Sequence, residues 1–368
     1  MPRGSDVVII GGGIIGCAVA RELAHRGARV RLFEARSVAA GATRASAGML
    51  APYIEAHERG PLFDLAVRSL SMYDAFVAQT ADESGLPIEY RRTGSLEIAI
   101  DEAAADSLRA TASAEPGAPL QWLSPSEARA LEPVLPETIA GALLASTHGY
   151  VAVPALTEAL AWAALKHGTE LETGRQINSI ARKRDHLEVR ADDGTMWTAE
   201  TVVLAAGGWS GRIEVGDPAT ATVKPIRGQL LRLGWTGDRF SHVLWGSDCY
   251  VVPWQDGTVL VGATVEDVGF DDRTTAAGVR DLLDAVCELL PEAWRATFLE
   301  ARAGLRPATG DGLPIIGRST RVEGLVYATG HYRNGVLLAP LTASLVADLI
   351  LEGREDPDLR VTAPGRVV

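Results

Sequence analysis

Residues 6–36 read DVVIIGGGIIGCAVARELAHRGARVRLFEAR, and the backbone architecture of the chain follows from this stretch. Its first apolar run, VVII, has no polar alternation and predicts a buried parallel strand. Gly11, Gly13 and Gly16 follow with the spacing GxGxxG. The apolar residues after them recur every three or four positions, which predicts a helix. A second short run ends at Glu34, so the order strand, glycine turn, helix, strand predicts a Rossmann-like α/β fold.

The glycine turn predicts a site for a dinucleotide. The first glycine allows a tight turn, the second lets the backbone approach a pyrophosphate, and the third lets the helix pack close to the strand. The free N–H groups and the positive dipole end of the helix then face the phosphates. Glu34 would accept hydrogen bonds from an adenosine ribose, which argues against a 2′-phosphate there. The motif alone leaves both NAD and FAD open.

Composition limits the class of protein. With 368 residues the chain can hold two domains and a sizeable core. The net charge of −12 argues against nucleic acid or an anionic membrane surface as a partner. We expect neither a signal peptide nor a membrane span, because no apolar segment reaches the ~20 residues that a span needs. The three cysteines lack paired spacing, which fits a reducing cytoplasm, and the seven histidines lack metal-ligand spacing, so we expect no metal.

Nucleotide-type and sheet-rich segments alternate along the chain. Apolar strands that end in small residues occur near 6–34, 201–211 and 325–338, while residues 223–265 show short alternating runs typical of antiparallel sheet. Residues 61–84 predict one amphipathic helix. The alternation predicts two interleaved domains with a ligand at their junction. The predicted nucleotide-binding domain comprises residues 1–85, 146–222 and 303–368, and the predicted α+β substrate domain, on a mainly antiparallel sheet, comprises residues 86–145 and 223–302.

Seven segments form a pattern over the whole chain: GGGIIG…LFE, ATRASAGML, AAGGWSG, KPIRGQ, CYVVPW, GLRPATGDGLPIIG and GHYRNGVLLAP. In this order they resemble the D-amino-acid oxidase family of FAD enzymes, and within it most of all the glycine oxidases of thiamine biosynthesis. The combination of AGLRP, DG, P and IG followed by GHYRNG is far more specific than the opening glycines.

The resemblance implies FAD as the cofactor. Binding is expected to be non-covalent, because no cysteine stands where sarcosine-oxidase relatives attach the flavin. The implied reaction oxidises glycine, sarcosine or small D-amino acids by hydride transfer from Cα to flavin N5. The imine then hydrolyses to an oxo acid and ammonia, and dioxygen accepts the electrons as hydrogen peroxide. The family also implies a homo-oligomer, for which a tetramer is one arrangement.

Three residues match the substrate site of the family. Arg306, in AGLRP, matches its carboxylate-binding arginine, whose planar fork pairs with both oxygens. Tyr250, in CYVVP, matches the tyrosine whose hydroxyl assists. Arg333, in HYRNG, matches a residue near the flavin and the substrate entrance. His331 beside it is expected to be structural. Ordinary alternatives exist for each of the three: an ion pair for Arg306, bracing of the backbone for Arg333 and strand packing for Tyr250.

The cofactor contacts carried over from the family are more numerous. Gly335 is expected to let the closing helix approach the pyrimidine end of the flavin, where the helix N-terminus would stabilise an anionic reduced ring. The implied contacts are Gly11, Gly13, Ile14, Ile15, Gly16, Glu34, Thr43, Arg44, Ala47, Gly48, Met49, Ala206, Gly207, Gly330, Arg333, Asn334, Gly335, Val336 and Leu337.

Two positions depart from the family pattern. Trp254 stands where a basic residue is expected in close relatives, and Val265 stands where a larger apolar side chain is usual. Both changes could alter the size or entrance of the pocket, so a strict preference for glycine stays open.

Three other functions also stay open at this point. A D-amino-acid dehydrogenase that reduces a quinone has the same fold, but this acidic chain shows no amphipathic membrane anchor. A non-catalytic flavin-binding protein would not need the pair Arg306 and Tyr250, because it has no carboxylate to hold. An NAD-dependent dehydrogenase is supported only by the first thirty residues.

Overall fold

The computed structural model describes residues 5–55, 59–114 and 117–367. Parts of the expected domain ranges therefore lie outside the described residues, namely 1–4, 56–58, 115–116 and 368.

The described residues form nineteen strands. They are β1 Ser5–Ile10, β2 Val30–Glu34, β3 Met49–Leu50, β4 Tyr90–Arg91, β5 Ser95–Ala99, β6 Leu120–Leu123, β7 Gly141–Ala145, β8 Gly149–Val151, β9 Glu170–Thr173, β10 Ile177–Arg182, β11 Leu187–Ala191, β12 Met196–Leu204, β13 Lys224–Gly234, β14 Val243–Trp245, β15 Tyr250–Pro253, β16 Thr258–Gly262, β17 Thr297–Ala308, β18 Ile315–Arg318 and β19 Leu325–Thr329.

Ten α-helices accompany the strands in the same part of the chain. They are α1 Ile14–His25, α2 Pro52–Glu55, α3 Pro61–Ser71, α4 Tyr73–Ser84, α5 Glu102–Ala114, α6 Pro125–Leu131, α7 Val153–Lys166, α8 Ala276–Leu289, α9 Gly335–Ala347 and α10 Asp358–Val361. A π-helical turn, Asp348–Glu352, follows α9 directly.

The first large sheet has a parallel centre, in which β2, β1, β12 and β19 lie side by side. The hairpin of β10 and β11 continues it in antiparallel fashion from the first half of β12. Residues of β1 such as Val8 and Ile9 are fully buried, as the unbroken apolar run predicts for a central strand. Because carboxyl ends of parallel strands meet at one edge, the segments after β1, β12 and β19 converge there.

The second large sheet is mainly antiparallel, with strand order β17-β13-β16-β15-β14-β5-β7-β6. Its strands come from chain segments that alternate with those of the first sheet. The predicted α/β fold class, a Rossmann-like part interleaved with a part on a mainly antiparallel sheet, is thereby confirmed. One proposed boundary, residue 303, lies inside β17, which pairs with β13 as far as Ala308.

The predicted single helix over 61–84 is wrong at Met72, where α3 ends and α4 begins. The break lies beside α9, whose Pro340 has no N–H to donate to the carbonyl of Val336. The hydroxyl of Tyr73 donates to that carbonyl at 2.5 Å instead. Ser69 likewise donates to the carbonyl of Leu337 at 2.6 Å. Two hydroxyls at the break therefore satisfy the backbone of the proline-containing helix.

One stretch of the described residues, Gly335–Glu352, is long and apolar enough to cross a membrane by composition alone. However, 67% of it is buried inside the protein. It packs on α1 and α3 beside the parallel sheet, which is the position of a core helix.

Candidate active site

The glycine turn after β1 is shaped by two close contacts within the protein. Gly11 has a φ of +114°, and a Cβ there would overlap the carbonyl oxygen of Ala205. A Cβ on Gly16 would overlap the carbonyl oxygen of Gly11, so α1 packs directly on the turn. A Cβ on Gly13 would meet only the hydroxyl of Thr43, at 3.2 Å. The first and third glycines therefore serve packing, whereas the second leaves open space.

That open space belongs to a cavity of about 800 Å³ at the carboxyl edge of the parallel sheet. Its volume falls in the upper part of the range of about 300–1,000 Å³ that is usual for cofactor and ligand sites. Gly13 and Glu34 border it at the parallel sheet, while Tyr250 and Arg306 border it from the second sheet. We call the part beside Glu34 and the part beside Arg306 the two arms of the cavity. The cavity thus lies between the two sheets.

Glu34 is held in place at the end of β2. One of its carboxylate oxygens accepts from the N–H of Gly12 at 2.7 Å, and the other accepts from the N–H of Arg36 at 2.8 Å. The hydroxyl of Thr43 accepts from the N–H of Ile14, at the start of α1, at 3.1 Å. These bonds fix the carboxylate and the loop before β3 against the first turn of α1.

A segment from the second sheet closes the arm of the cavity that begins at Glu34. We call residues 264–273, which follow β16, the strap. The ring of Phe270 lies under the guanidinium of Arg212, 3.6 Å from it, and Asp272 pairs with Arg36 at 3.8 Å. Because all four residues line the cavity, the strap forms part of its wall.

Arg227 on β13 holds the strap to its own sheet. Its backbone exchanges two hydrogen bonds with Glu266, at 2.9 and 3.0 Å. Its buried guanidinium pairs with Glu266 at 2.5 Å and with Asp271 at 3.2 Å. This pairing and two neighbouring hydrogen bonds lower the pKa of Glu266 to about 2, so its carboxylate is ionised at neutral pH and pairs with Arg227.

Arg306 on β17 points a guanidinium into the cavity without an acidic partner among the described residues. It donates to the carbonyl of Thr264 at 2.9 Å and to that of Arg227 at 3.4 Å. Carbonyl oxygens orient the guanidinium but leave its charge uncompensated. A Cβ on Gly228 would overlap this guanidinium, so the facing strand must carry glycine there. The arrangement suits a group that receives a carboxylate from a ligand.

Tyr250 on β15 lies close enough to Arg306 for their charges to interact. Burial raises its pKa to about 12, an effect that Arg306 and Arg333 partly oppose. The phenol therefore keeps its proton at neutral pH. A Cβ on Gly262, its partner on β16, would overlap the ring and hydroxyl of Tyr250. Glycine at that position makes room for the tyrosine at the cavity wall.

Arg333 lies at the rim, with 41% of its side chain exposed. It is 3.7 Å from the carboxylate of Glu55, which also lines the cavity. Its neighbour His331 is buried and shares a 3.0 Å hydrogen bond with Thr342. Burial lowers the pKa of His331 to about 3, so it is neutral; the residue also borders the cavity, and its structural role stays a prediction.

The cavity brings together most of the residues that the family resemblance implied. Arg306, Tyr250 and Arg333 line it, and so do Gly11, Gly13, Ile14, Ile15, Glu34, Thr43, Ala47, Gly48, Met49, Ala206, Gly207, Asn334, Gly335, Val336 and Leu337.

Three implied cofactor residues lie outside the lining of this cavity. Gly16 faces the turn that it packs on. Arg44 is 68% exposed and lies 3.9 Å from Glu300. Gly330 has a φ of +74° and would place a Cβ against Thr309. Their positions suit packing and the turn itself more than contact with a ligand.

The two departures from the family pattern have different surroundings. Val265, at the start of the strap, lines the cavity. Trp254 stacks edge-on against Tyr150, with ring centroids 5.1 Å apart, and does not border the cavity. Of these two residues, only Val265 can change the wall of the cavity directly.

Several site residues were missed by sequence reasoning. Trp209, Phe270 and Asp272 close the cofactor arm, and Gly228 and Gly262 make room for the anchor and the phenol. A glycine inside a strand does signal a close approach. The sequence does not show which side chain approaches, because that depends on the strand across the sheet.

These residues fit a dinucleotide cofactor. The open side of Gly13, the first turn of α1 and the fixed carboxylate of Glu34 lie along one arm, as a pyrophosphate and a ribose require. The other arm carries Arg306 and Tyr250, which suit a small carboxylate substrate. The fold and the cavity together define a dinucleotide-dependent oxidoreductase.

Comparison with known proteins identifies the family. The pattern of the DAO family, described as FAD dependent oxidoreductase, matches residues 6–349. The glycine oxidase of Geobacillus kaustophilus is 36% identical over 349 residues, which are 94% of this chain and 92% of that protein. The crystal structure of a glycine oxidase from Geobacillus kaustophilus has a TM-score of 0.93 at 35% identity and covers 99% of each chain.

A longer relative matches over half of its own length. The bifunctional protein ThiO/ThiG of Nostoc sp. is 37% identical over 357 residues, which are 96% of this chain but 53% of that protein. This chain belongs to the DAO family of FAD-dependent oxidoreductases. The predicted family, the FAD cofactor and the enzyme class, an FAD-dependent amine or amino-acid oxidase, are confirmed. An NAD-dependent dehydrogenase and a non-catalytic flavin-binding protein are set aside.

Proposed function

We propose that this enzyme oxidises glycine and other small primary or secondary amines, including sarcosine and small D-amino acids. The products are the oxo acid, ammonia or an amine, and hydrogen peroxide. Relatives named glycine oxidase, similar over nearly the whole chain, support the substrate class. FAD, when bound, would supply the redox chemistry, as acceptor of a hydride from the substrate Cα at N5 and as source of electrons for dioxygen.

The guanidinium of Arg306 is the observation that carries this proposal. It faces the cavity, is oriented by the carbonyl of Thr264, and has no carboxylate partner among the described side chains. A bidentate pair with the substrate carboxylate would fix the direction of the Cα–H bond. Tyr250, which stays protonated, offers a neutral hydroxyl beside it. Such a hydroxyl can hydrogen-bond the bound substrate without adding charge to the site.

Arg333 is proposed to hold substrate at the rim or to stabilise negative charge in the reduced enzyme. Its contact with Glu55 places a carboxylate beside it, unlike Arg306. For this reason we assign the anchoring of the substrate carboxylate to Arg306.

Peroxide release in air from glycine, sarcosine and D-alanine tests the proposal. We expect peroxide from at least one of the three, at a much higher rate than from methylamine, which lacks the carboxylate that Arg306 would hold. Absence of peroxide with all three amino acids would contradict it. The same panel under nitrogen with a soluble quinone tests the alternative of a D-amino-acid dehydrogenase, for which quinone reduction should be fast and peroxide release in air slow.

The biological setting is also a proposal. The resemblance to the glycine oxidases of thiamine biosynthesis, and a relative named ThiO/ThiG, support a role in making the thiamine thiazole. We expect a cytoplasmic homo-oligomer, of which a tetramer is one form, and light scattering of the purified protein measures its mass directly.

A further inference from the structure

Three helices end at one place on the surface, away from the cavity. His25 is the last residue of α1, Glu83 lies in the last turn of α4, and His167 follows the last residue of α7. The two histidines are 142 residues apart in sequence, which is why their proximity is invisible there. None of the three residues lines the cavity.

The three side chains present their ligand atoms to one another. Nδ1 of His25 lies 3.4 Å from Oε1 of Glu83, and Nε2 of His167 lies 3.2 Å from Oε2. The two imidazole nitrogens are 3.5 Å apart. The side chains of His25, His167 and Glu83 are 50%, 29% and 16% exposed, so an ion can reach them from solvent.

These distances suit a shared ion better than mutual hydrogen bonds. A hydrogen bond to nitrogen or oxygen normally spans about 2.7–3.2 Å, which two of the three separations exceed. Ligands at about 2.0–2.1 Å from a tetrahedral Zn²⁺ are separated by about 3.3 Å along each edge. The 3.5 Å between the two imidazole nitrogens lies close to that edge length, and each nitrogen lies 3.4 or 3.2 Å from one of the two oxygens of Glu83.

The helix ends favour a cation at this place, beside the positive charges of Arg21 and of Lys166, whose Nζ donates to the carbonyl of Ser84 at 3.1 Å. The carboxyl end of each helix carries part of the negative end of its dipole, and three such ends meet here. Arg21 donates through Nε to Oε2 of Glu83 at 2.7 Å and pairs with Oε1 as well. An arginine that fixes a carboxylate in this way acts as an outer partner of a ligand and leaves further lone pairs for a metal. Its own positive charge is shared with Glu22, at 3.1 Å.

We propose that His25, Glu83 and His167 bind a divalent transition-metal ion of the Zn²⁺ type, with water in the fourth position. Two imidazoles and one carboxylate are ligands that such ions prefer. The ion would tie the ends of α1, α4 and α7 together. Its role is therefore stability of the cofactor-binding part rather than chemistry in the cavity.

Titration of the metal-free, FAD-loaded protein with ZnCl₂ tests the site. We expect saturable one-to-one binding by calorimetry and a higher melting temperature with Zn²⁺. Each of His25→Ala and His167→Ala should weaken affinity by at least about tenfold, since even the outer partners of a metal are worth that much. His186→Ala is the matched control: this histidine is also exposed but pairs with Asp185 outside the cluster, so binding should not change.

Two results would overturn the proposal. One is the absence of saturable Zn²⁺ binding by the unaltered protein. The other is binding that both histidine variants retain at full affinity. Because both histidines are partly exposed, their replacement is expected to leave the fold intact; equal melting temperatures of the metal-free proteins check this. Crystals soaked in ZnCl₂ should show anomalous scattering between the two imidazoles, and a peak elsewhere would also count against the site.

Discussion

Arg306 differs from most arginines around the cavity in what surrounds it. Among the described cavity-lining arginines, Arg212 shares its lack of an acidic partner, but its guanidinium lies over the ring of Phe270. Arg36 pairs with Asp272, Arg333 lies beside Glu55 and Arg227 holds two carboxylates. Arg306 has only carbonyl partners among the described residues. A positive charge without a countercharge in a cavity is unfavourable unless a ligand supplies one. The carboxylate of an anionic substrate would therefore form a favourable ion pair with Arg306.

Replacing Arg306 by alanine should therefore reduce kcat/KM for amino acids while FAD stays bound. Loss of a charge-assisted pair in a closed pocket corresponds to about 2–5 kcal/mol, or more than about thirtyfold in kcat/KM. Steady-state peroxide assays and flavin absorbance measure the two effects. Arg302→Ala is the control, because Arg302 lies on the same strand but pairs with Glu300 outside the cavity. Equal losses in both variants would remove the anchor role.

The pH profile reports the protonation of Tyr250. Because burial raises its pKa to about 12, the phenol stays protonated through the range in which an ordinary tyrosine, with a pKa of about 10, ionises. We expect kcat/KM of the unaltered enzyme and of Tyr250→Phe to depend on pH in the same way between about pH 7 and 10.5. A fall near pH 9–10 that disappears in the phenylalanine variant would show that the phenol ionises there.

Single residues were predictable where they carry a motif, and not where they depend on a neighbour across the sheet. Arg306 and Tyr250 were found through the family pattern; an arginine or a tyrosine on a strand has no signal of its own. Gly228 and Gly262 lie opposite these side chains only because of the pairing between strands. Strand register is a tertiary property, which the residues of one strand do not specify alone.

At the scale of elements, the strap links the two sheets. Phe270 contacts Arg212 and lies 6.2 Å from the ring of Trp209, both on the segment after β12. The strap thus covers the arm of the cavity beside Glu34, where the dinucleotide is expected. Its stability rests on a few polar and aromatic contacts with that segment.

Phe270→Ala should loosen the strap and weaken the retention of FAD. Loss of a cation–π contact of about 0.5–2 kcal/mol would raise the Kd of FAD by about two- to thirtyfold. Fluorescence titration of the apoprotein with FAD measures this without any turnover. Val268→Ala is the control on the same segment, since Val268 is 41% exposed and does not line the cavity. An unchanged Kd in the Phe270 variant would show that the strap does not hold the cofactor.

The first elements of the chain were predictable, and later ones less so. The order β1, α1, β2 follows from local patterns, namely an apolar run, the glycine spacing and helical periodicity. The break at Met72 lies beside Pro340 of another helix, where Tyr73 donates to the carbonyl that the proline leaves without a partner. The strap has no periodicity, and its course depends on Arg227, which lies on a different strand. Elements whose shape depends on distant partners are the ones that local patterns miss.

At the scale of the whole molecule, both parts of the interleaved chain border one cavity. Glu34 and Gly13 come from the parallel sheet, while Tyr250 and Arg306 come from the antiparallel sheet. The chain passes between the sheets several times, so neither sheet is built from one continuous piece. A cofactor in this cavity stabilises both parts at once.

Adding FAD to the apoprotein should raise the melting temperature of the whole molecule in one step. Free FAD at about a hundredfold excess over its Kd adds about 2.7 kcal/mol to the free energy of unfolding. Calorimetry should show one transition that moves upward as FAD is added, with tryptophan fluorescence reporting the same midpoint. Two transitions, of which only one responds to FAD, would mean that the two parts unfold independently.

Thr264 stands at the beginning of the strap and also supplies the carbonyl that orients Arg306. The same short segment therefore touches the dinucleotide arm at one end and the amino-acid anchor at the other. Binding of FAD in the first site should therefore change the affinity of the second site for a carboxylate. Thermodynamic linkage requires that carboxylate binding change the affinity for FAD by the same factor. Apoprotein should bind a simple carboxylic acid such as acetate poorly. Conversely, a high concentration of the amino-acid substrate in the cell should increase the fraction of the enzyme that has FAD bound.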